Sequence, residues 1–252
     1  MSKLICHIIP FFIALQFLTR IPIDLQIAPT EKQIGQSTLY YPAVGFLIGV
    51  ILVALHYVLT QLLNSTNELL NASLLLATWI FITGALHFDG LADSADALVG
   101  GFANKEKTLT IMKDPCSGPI AVVVLICVLL MQFSALTTIT SQYYLALLLI
   151  PLIARSTVLI LFLTTPYTSK NGIAETLVAR FPKKSSFMIL LMQCILLAVI
   201  FKSNVFILLI GVSITLYLLR KTMMKRLGGM TGDTIGANIV IIETVSLLIL
   251  TI

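Results

Sequence analysis

Seven apolar stretches, separated by segments that carry nearly all of the charged residues, constrain the fold of this chain more than any other feature. They cover approximately residues 40–63, 69–86, 119–138, 143–163, 187–201, 204–219 and 236–252. A helix needs roughly 20 apolar residues to cross a bilayer, or about 17 when it is little tilted. The stretches lack the alternation of a membrane β-barrel. They therefore predict an all-α, polytopic helical membrane protein with about seven transmembrane helices, in a single integral membrane domain, 1–252.

The composition supports a lipid bilayer as the surroundings of the chain. Apolar residues make up 58% of the sequence and charged residues 11%, whereas a soluble domain carries about 25% charged residues. The net charge of +5 does not indicate nucleic acid as a partner, because the basic residues lie between the apolar stretches and form no amphipathic stripe. Residues 4–18 are apolar but interrupted by Pro10, which predicts an interfacial or re-entrant segment.

The basic residues also indicate an orientation. The segments 1–39, 87–118, 164–186 and 220–235 hold three, three, four and four Lys or Arg residues, whereas the intervening segments hold only Lys202. Cytoplasmic loops of membrane proteins carry the excess of positive charge. We therefore predict a cytoplasmic N-terminus, an outside C-terminus and cytoplasmic loops at 87–118, 164–186 and 220–235.

An acidic motif follows the second apolar stretch and reads Gly-Ala-Leu-His-Phe-Asp-Gly-Leu-Ala-Asp-Ser-Ala-Asp over residues 84–96. Its aspartates, Asp89, Asp93 and Asp96, lie within about 60° of each other on a helix. Like charges on one face repel, and a bound divalent cation relieves the repulsion. Carboxylate oxygens suit Mg²⁺, which keeps several waters and takes other ligands from phosphate. The alternative is a solvated acidic face. His87 is either a base or an interfacial residue.

Two further motifs carry candidate phosphate contacts. Lys113-Asp114-Pro115 precedes the third stretch, where Lys113 could contact phosphate and Asp114 could join the metal, or the segment is only a boundary turn. The glycine–threonine motif of residues 226–237 exposes backbone N–H groups at the start of a helix and predicts an anion cradle. Its candidate residues are Arg226, Gly228, Gly229, Thr231 and Gly232, with Asp233 as a metal ligand or a helix cap.

Two charged residues lie inside the apolar stretches, where a charge is costly and indicates a function. Glu243 lies in the seventh stretch and Arg155 in the fourth. They either pair with each other, or Glu243 joins the metal site and Arg155 binds phosphate. Acids, cations and glycines from separate loops on one membrane face indicate Mg²⁺-assisted phosphoryl or nucleotidyl transfer, without identifying the substrate.

The motifs, in this order along the chain, resemble those of the cobalamin synthase family, the adenosylcobinamide-GDP ribazoletransferases. The matching elements are Phe17-Leu-Thr-Arg20-Ile-Pro22, Tyr41-Pro42-Ala-Val-Gly45, the acidic motif, Ile111-Met-Lys113-Asp114, Ala154-Arg155-Ser156 and Gly228-Gly-Met-Thr231-Gly-Asp233-Thr-Ile-Gly236-Ala. The resemblance implies a Mg²⁺-dependent enzyme of the bacterial inner membrane with a cytoplasmic active site. Adenosylcobinamide-GDP and α-ribazole, or its 5′-phosphate, would give adenosylcobalamin, or its phosphate, and GMP.

The resemblance also implies roles for individual residues. Asp89, Asp93 and Asp96 would hold Mg²⁺ with Asp233 and Glu243, and Asp233 or Asp114 would accept the proton of the ribazole hydroxyl. Phosphate contacts would come from Arg20, Lys113, Arg155, Arg226 and the glycine–threonine motif. A homo-oligomer and contacts with other enzymes of the cobalamin pathway are further possibilities. The alternative functions are a CDP-alcohol type phosphotransferase and a cation transporter.

Overall fold

The computed structural model describes residues 2–23, 25, 28–62, 67–102, 104–169, 173–201 and 204–251. In this part of the chain the structure is helical and contains no β-strand beyond one isolated bridge. The helices are α1 Ser2–Leu18, α2 Glu31–Ser37, α3 Tyr41–Leu62, α4 Glu68–Thr83, α5 Leu86–Gly100, α6 Lys105–Ile111, α7 Pro119–Gln142, α8 Ala146–Thr164, α9 Ile173–Ala179, α10 Lys183–Phe201, α11 Asn204–Leu227 and α12 Gly232–Ile249. A 3₁₀ turn, Thr38–Tyr40, joins α2 to α3.

Each of the seven predicted spans falls on a helix, and the prediction of an all-α polytopic membrane protein is confirmed. Among the described residues, five helical stretches are long and apolar enough to cross a membrane: Glu31–Leu62, Pro119–Thr140, Ala146–Thr164, Phe206–Leu227 and Gly232–Ile249. A sixth is added if α4 and α5 count as one bent span. The predicted number of seven is therefore approximate, because α4 has only 16 residues and α10 is not among the five stretches.

The helices differ in how much of their surface is buried. Most of α8 and α12 is buried inside the protein, whereas α7 and α11 expose most of their side chains. On α11 the side chains of Ile207, Ile210, Ile214 and Leu218 are each more than half exposed, and their spacing puts them on one helical face. An apolar face of this kind is stable against lipid tails. The helices α8 and α12 thus form the centre of the bundle.

Glycines allow close contacts around this centre. A Cβ atom on Gly45 of α3 would overlap the carbonyl oxygen of Pro151 in α8, and one on Gly49 would lie 2.6 Å from that of Leu147. Small residues four apart let two membrane helices approach closely. The pairing fixes α3 against α8 and thereby holds Tyr41, the first residue of α3, beside the functional site.

A sharp bend of 86° separates α4 from α5. Gly84 and Ala85 both have left-handed backbones, with φ of 61° and 55°, and a left-handed alanine costs roughly 1–2 kcal/mol. The two helices cannot both run along the membrane normal. We therefore treat α5, which carries the acidic motif, as lying across the end of the spanning helices.

The N-terminal segment forms one helix, α1, with Pro10 inside it. Its position relative to the bilayer stays a prediction. Near its C-terminal end, Leu15 and Leu18 are buried in the main core, and Phe17 stacks against Tyr41 at a ring-centroid distance of 6.3 Å. The end of α1 therefore belongs to the wall of the site.

Candidate active site

The carboxylates of α5 meet the start of α12. Asp89 is exposed, and Asp93 is half-buried one turn further along. Partial burial raises the pKa of Asp93 to about 6, and the nearby charges of Asp89, Asp233 and Asp96 add to the increase. Because charges act in this way only at short range, Asp233 belongs to the same acidic cluster as the aspartates of α5.

Two glycines explain how α5 and α12 approach each other. A Cβ atom on Gly90 would lie 2.6 Å from the backbone oxygen of Asp233, and one on Gly236 would lie 3.3 Å from the Cα of His87. The start of α12 is itself fixed by a capping box, in which Thr231 accepts the N–H of Thr234 at 3.3 Å and donates its own N–H to the Thr234 hydroxyl at 2.8 Å. Asp233, in the first turn of α12, is thus held at the acidic face of α5.

Asp96 has a different role from the one predicted. Its Oδ2 accepts the backbone N–H of Gly118 at 2.5 Å, and its Oδ1 accepts that of Ala121 at 2.9 Å. The carboxylate therefore satisfies N–H groups at the start of α7, where a negative charge also interacts well with the helix dipole. Both oxygens of Asp96 are thus engaged by the protein itself, and Asp89, Asp93 and Asp233 remain as candidate metal ligands.

Of the two alternatives for Glu243 and Arg155, the structure shows the pairing, since they form an ion pair with each other, and it does not show the separate metal and phosphate roles. Arg155 is wholly buried and Glu243 is 3% exposed, so neither faces a substrate. Glu243 lies ten residues beyond Asp233, which corresponds to about 15 Å along a helix. It therefore shares no metal ion with Asp233, and Arg155 is not positioned to bind phosphate.

The glycine–threonine segment is held by the loop that follows α8. Met230 donates its N–H to Pro166 at 2.8 Å and accepts that of Thr168 at 3.0 Å. A Cβ atom on Gly229 would overlap the Pro166 oxygen, and Gly228 has a left-handed backbone with φ 73°. These glycines and Thr231 therefore shape the loop. Gly232 differs, because a Cβ atom there would meet nothing within 4 Å.

The predicted cations have different environments. Lys113 and Asp114 are exposed, and Asp114 accepts the N–H of Cys116 at 3.0 Å within its own turn. Arg20 is exposed and its side chain packs against Gly84 at the bend. Arg226, in the last turn of α11, lines a second cavity of about 300 Å³ that is otherwise mainly apolar.

Metal binding by this cluster requires ligands from outside the protein. Within the described ranges, no group of three or more His, Cys, Asp or Glu side chains is arranged to hold a metal ion by itself. Mg²⁺ is commonly bound through one or two carboxylates, with waters and substrate phosphates as the other ligands. Asp89 and Asp93, with the charge of Asp233 beside them, fit that donor set. These residues do not form a metal site in which every ligand comes from the protein.

A cavity of about 330 Å³ lies on the other side of Asp233. Its walls come from α1, α3, α5, α8, α9 and α12, and they consist of Gln16, Phe17, Leu18, Tyr41, Leu86, His87, Phe162, Leu177, Gly232, Asp233, Ile235, Gly236 and Ile239. We call this space the Tyr41 cavity. Asp233 and Gly232 belong both to its wall and to the segment next to the acidic cluster, so the cavity and the cluster form one continuous site.

Comparison with known proteins identifies the family. The family model of cobalamin-5-phosphate synthase matches residues 10–251. This chain belongs to that family. It is similar to proteins named adenosylcobinamide-GDP ribazoletransferase from Pseudomonas fluorescens strain Pf0-1, at 49% identity over 236 residues, and from Stutzerimonas stutzeri strain A1501, at 47% over 239 residues. These alignments each cover 93% of this chain, and 96% and 94% of the two relatives.

A third relative of the same name, from Pseudomonas putida strain GB-1, is 46% identical over 239 residues. No solved structure matches the chain. Membership of the cobalamin-5-phosphate synthase family confirms the resemblance inferred from the motifs. The chain is an enzyme, and the cation-transporter and CDP-alcohol alternatives are set aside.

Sequence reasoning gave no role at the site to several residues. Phe17 and Tyr41 belong to motifs that match the family and Phe162 lies inside an apolar run, but none of the three carries a charge that indicates a function. Tyr167 lies close enough to Asp233 for that charge to add to the increase in its pKa, which comes mainly from burial and is partly offset by a hydrogen bond with Ser169. Only folding brings these residues together, because they come from separate helices and loops.

Proposed function

We propose that this enzyme transfers the adenosylcobinamide phosphate group from adenosylcobinamide-GDP to a ribose hydroxyl of α-ribazole or its 5′-phosphate. The reaction gives adenosylcobalamin, or its phosphate, and GMP. Family membership supports the substrates and the reaction. One observation carries the assignment of the site. Asp89 and Asp93 lie close to Asp233, which borders a cavity large enough for the base of a nucleoside.

The chemistry is a substitution at phosphorus. The hydroxyl oxygen of α-ribazole forms a bond to the phosphorus that carries adenosylcobinamide, and the bond from that phosphorus to the bridging oxygen breaks. GMP leaves with the bonding electron pair, and the hydroxyl proton passes to a base. Asp233 is the better candidate for this base, because it borders both the acidic cluster and the cavity, whereas Asp114 is exposed and engaged in a local turn.

Asp89 and Asp93 would hold Mg²⁺ together with pyrophosphate oxygens. A bound Mg²⁺ supplies neutralisation of the charge that develops on the phosphate oxygens. Without it, two adjacent carboxylates would repel the anionic substrate. Exposed cations near the site complement them: Lys113 and Arg20 are free to extend towards phosphate, and the Lys105 amine lies close to Gly228.

The membrane orientation follows from the distribution of basic residues. Fourteen of the 16 Lys and Arg residues lie in alternate segments that include the acidic and glycine–threonine motifs. The positive-inside rule then supports a cytoplasmic N-terminus and a site facing the cytoplasm of a bacterium. This orientation gives the site access to water-soluble GMP and α-ribazole.

Turnover by the detergent-purified enzyme tests the proposal. Adenosylcobinamide-GDP and α-ribazole are incubated with and without Mg²⁺, and GMP release and cobalamin formation are followed. We expect Mg²⁺-dependent formation of both products, with loss of at least two orders of magnitude in Asp89→Asn. Glu68→Gln, the same change in an exposed residue at the start of α4, is the matched control. Full turnover by Asp89→Asn would contradict the assigned role of this aspartate.

A further inference from the structure

We infer that the Tyr41 cavity holds the aromatic base of the nucleoside acceptor, with Tyr41 or His87 donating a hydrogen bond to the unsubstituted ring nitrogen of that base. This inference rests on the proposed function and names the part of the molecule that recognises one of its two substrates. Four properties of the cavity support it: position, size, wall chemistry and unpartnered polar atoms.

The position and size fit a nucleoside and exclude the corrin macrocycle. Asp233 lies in the cavity wall and beside the carboxylates of α5, so a nucleoside whose base fills the cavity presents its ribose to the acidic cluster. A volume of about 330 Å³ is at the lower end of the range for small-molecule pockets. It accommodates a bicyclic base, whereas the corrin macrocycle of the other substrate is far larger.

The walls suit a flat and largely apolar ring. Tyr41 stacks on Phe17 with an interplanar angle of 17° and lies 6.5 Å from the ring of Phe162. Stacked and tilted arrangements at such distances are the preferred contacts between aromatic rings. The benzimidazole base of α-ribazole carries methyl groups and one free ring nitrogen, so it matches an aromatic wall with few polar groups.

Two polar atoms in this wall lack partners among the residues that the structure describes. They are Oη of Tyr41 and Nε2 of His87, which belong to side chains only 1% and 7% exposed. Leaving a buried polar group unsatisfied costs about 1–3 kcal/mol, and buried polar groups are normally paired. Because both residues line the cavity, the ring nitrogen of a bound base would accept a hydrogen bond from one of them.

The test measures binding of α-ribazole by its benzimidazole fluorescence, in detergent and without adenosylcobinamide-GDP. Tyr41→Phe, His87→Leu and Gly232→Val are compared with the parent enzyme. Gly232→Val adds bulk where the structure has open space. Tyr143→Phe removes the same hydroxyl group at the far end of α7 and is the control. We expect about a 3- to 10-fold increase in Kd for the variant that loses the donor, and a larger increase for Gly232→Val.

Two further readouts separate recognition from a purely structural role. Because Tyr41→Phe removes an unsatisfied hydroxyl, its Tm without ligand is expected to stay the same or rise, while the KM for adenosylcobinamide-GDP is unchanged. An indole riboside, which has a C–H in place of the ring nitrogen, should bind the parent about 3- to 10-fold more weakly than α-ribazole. It should show no additional loss in the variant that lacks the donor.

The outcomes distinguish this inference from the proposed function. If the parent releases GMP and all three cavity variants bind α-ribazole as tightly as the parent, the cavity assignment is overturned and the function stands. If the parent and Tyr143→Phe bind α-ribazole and the cavity variants bind it weakly, but the parent forms no cobalamin, the cavity assignment stands and the proposed reaction is wrong. A parent that neither binds nor turns over α-ribazole overturns both.

Discussion

The carboxylate of Asp96 accepts the backbone N–H of Gly118 at 2.5 Å, which ties the acidic helix α5 to the start of the membrane-length helix α7. A second bond, from the N–H of Ala121 to the other oxygen at 2.9 Å, completes the attachment. The orientation of Asp89 and Asp93 therefore depends on a neighbouring aspartate that is occupied by the protein itself. The acidic motif in the sequence does not reveal that Asp96 differs in role from Asp89 and Asp93.

Asp96→Asn and Asp89→Asn should accordingly have opposite effects: the first lowers stability and the second lowers the affinity for a metal ion. Asn at position 96 keeps one acceptor and loses the negative charge at the start of α7, so we expect a loss of about 1 kcal/mol in stability and a lower Tm. Its affinity for Mg²⁺ should change little. Asp89→Asn should keep the parental Tm and bind Mn²⁺, used as a probe for Mg²⁺, at least tenfold more weakly. A large loss of metal affinity in Asp96→Asn with unchanged Tm would restore Asp96 as a ligand.

Gly90→Ala tests the contact between α5 and α12. The added methyl group would meet the backbone oxygen of Asp233 at 2.6 Å, and overpacking of this kind typically costs about 1–3 kcal/mol. We expect a lower Tm and reduced turnover, since Asp233 moves away from Asp93. Gly232→Ala, where the added group has open space, is the control for Tm. Equal Tm values for the two variants would show that the helices are less closely packed than described.

Because Arg155 and Glu243 form an ion pair, the effects of substituting them on the free energy of unfolding should not be additive. Arg155→Met or Glu243→Leu leaves a buried partner without its counter-charge, which typically costs about 3–5 kcal/mol. The double variant Arg155→Met/Glu243→Leu should recover most of the lost stability, as measured by thermal or denaturant unfolding in detergent. If the double variant is stable but its KM for adenosylcobinamide-GDP is strongly raised, Arg155 contacts the substrate after all.

Asp93→Asn should stabilise the metal-free protein while it abolishes activity. The pKa of Asp93 is raised from 3.8 to about 6, so the folded state holds this proton more tightly than the unfolded state does. Its contribution to stability is therefore fully present below about pH 4 and is lost as the pH rises towards 6. In EDTA the variant and the parent should have equal Tm values near pH 4. The variant should have the higher Tm above pH 6.

Mg²⁺ should remove this advantage, because the cation stabilises the ionised parent and not the variant. Thermal-shift measurements over pH 4–8, with EDTA or with Mg²⁺, check both statements. A parent that is more stable than Asp93→Asn at pH 7.5 in EDTA would mean that burial and the neighbouring carboxylates do not raise the pKa of Asp93.

The membrane architecture and part of the site were predictable from local patterns. Apolar length locates the spanning helices, and the spacing of Asp89 and Asp93 is sufficient to put them on one helical face. The capping of α12 by Thr231 is also a local signal. By contrast, the left-handed backbone of Ala85 is a conformation that alanine rarely adopts, and no sequence rule indicates the bend that it helps to form.

Contacts between distant segments were the main source of error. Asp96 has the same spacing signal as Asp93, and only its position relative to Gly118 on α7 makes it a helix cap. Arg155 and Glu243 are 88 residues apart, and their sequence contexts allowed either pairing or separate roles at the site. Tyr41 has the appearance of a core residue in sequence because it stands at the head of an apolar run.

The same separation of 88 residues has a consequence for how the protein is made. Ribosomes add about 5–20 residues per second, so Arg155 is synthesised roughly 4 to 18 seconds before its partner. During this interval α8 carries an uncompensated positive charge, which opposes its entry into lipid. Membrane insertion of α8 is therefore less favourable before α12 emerges than after it. A helix that is translated later, α12, thus supplies the counter-charge for one translated well before it.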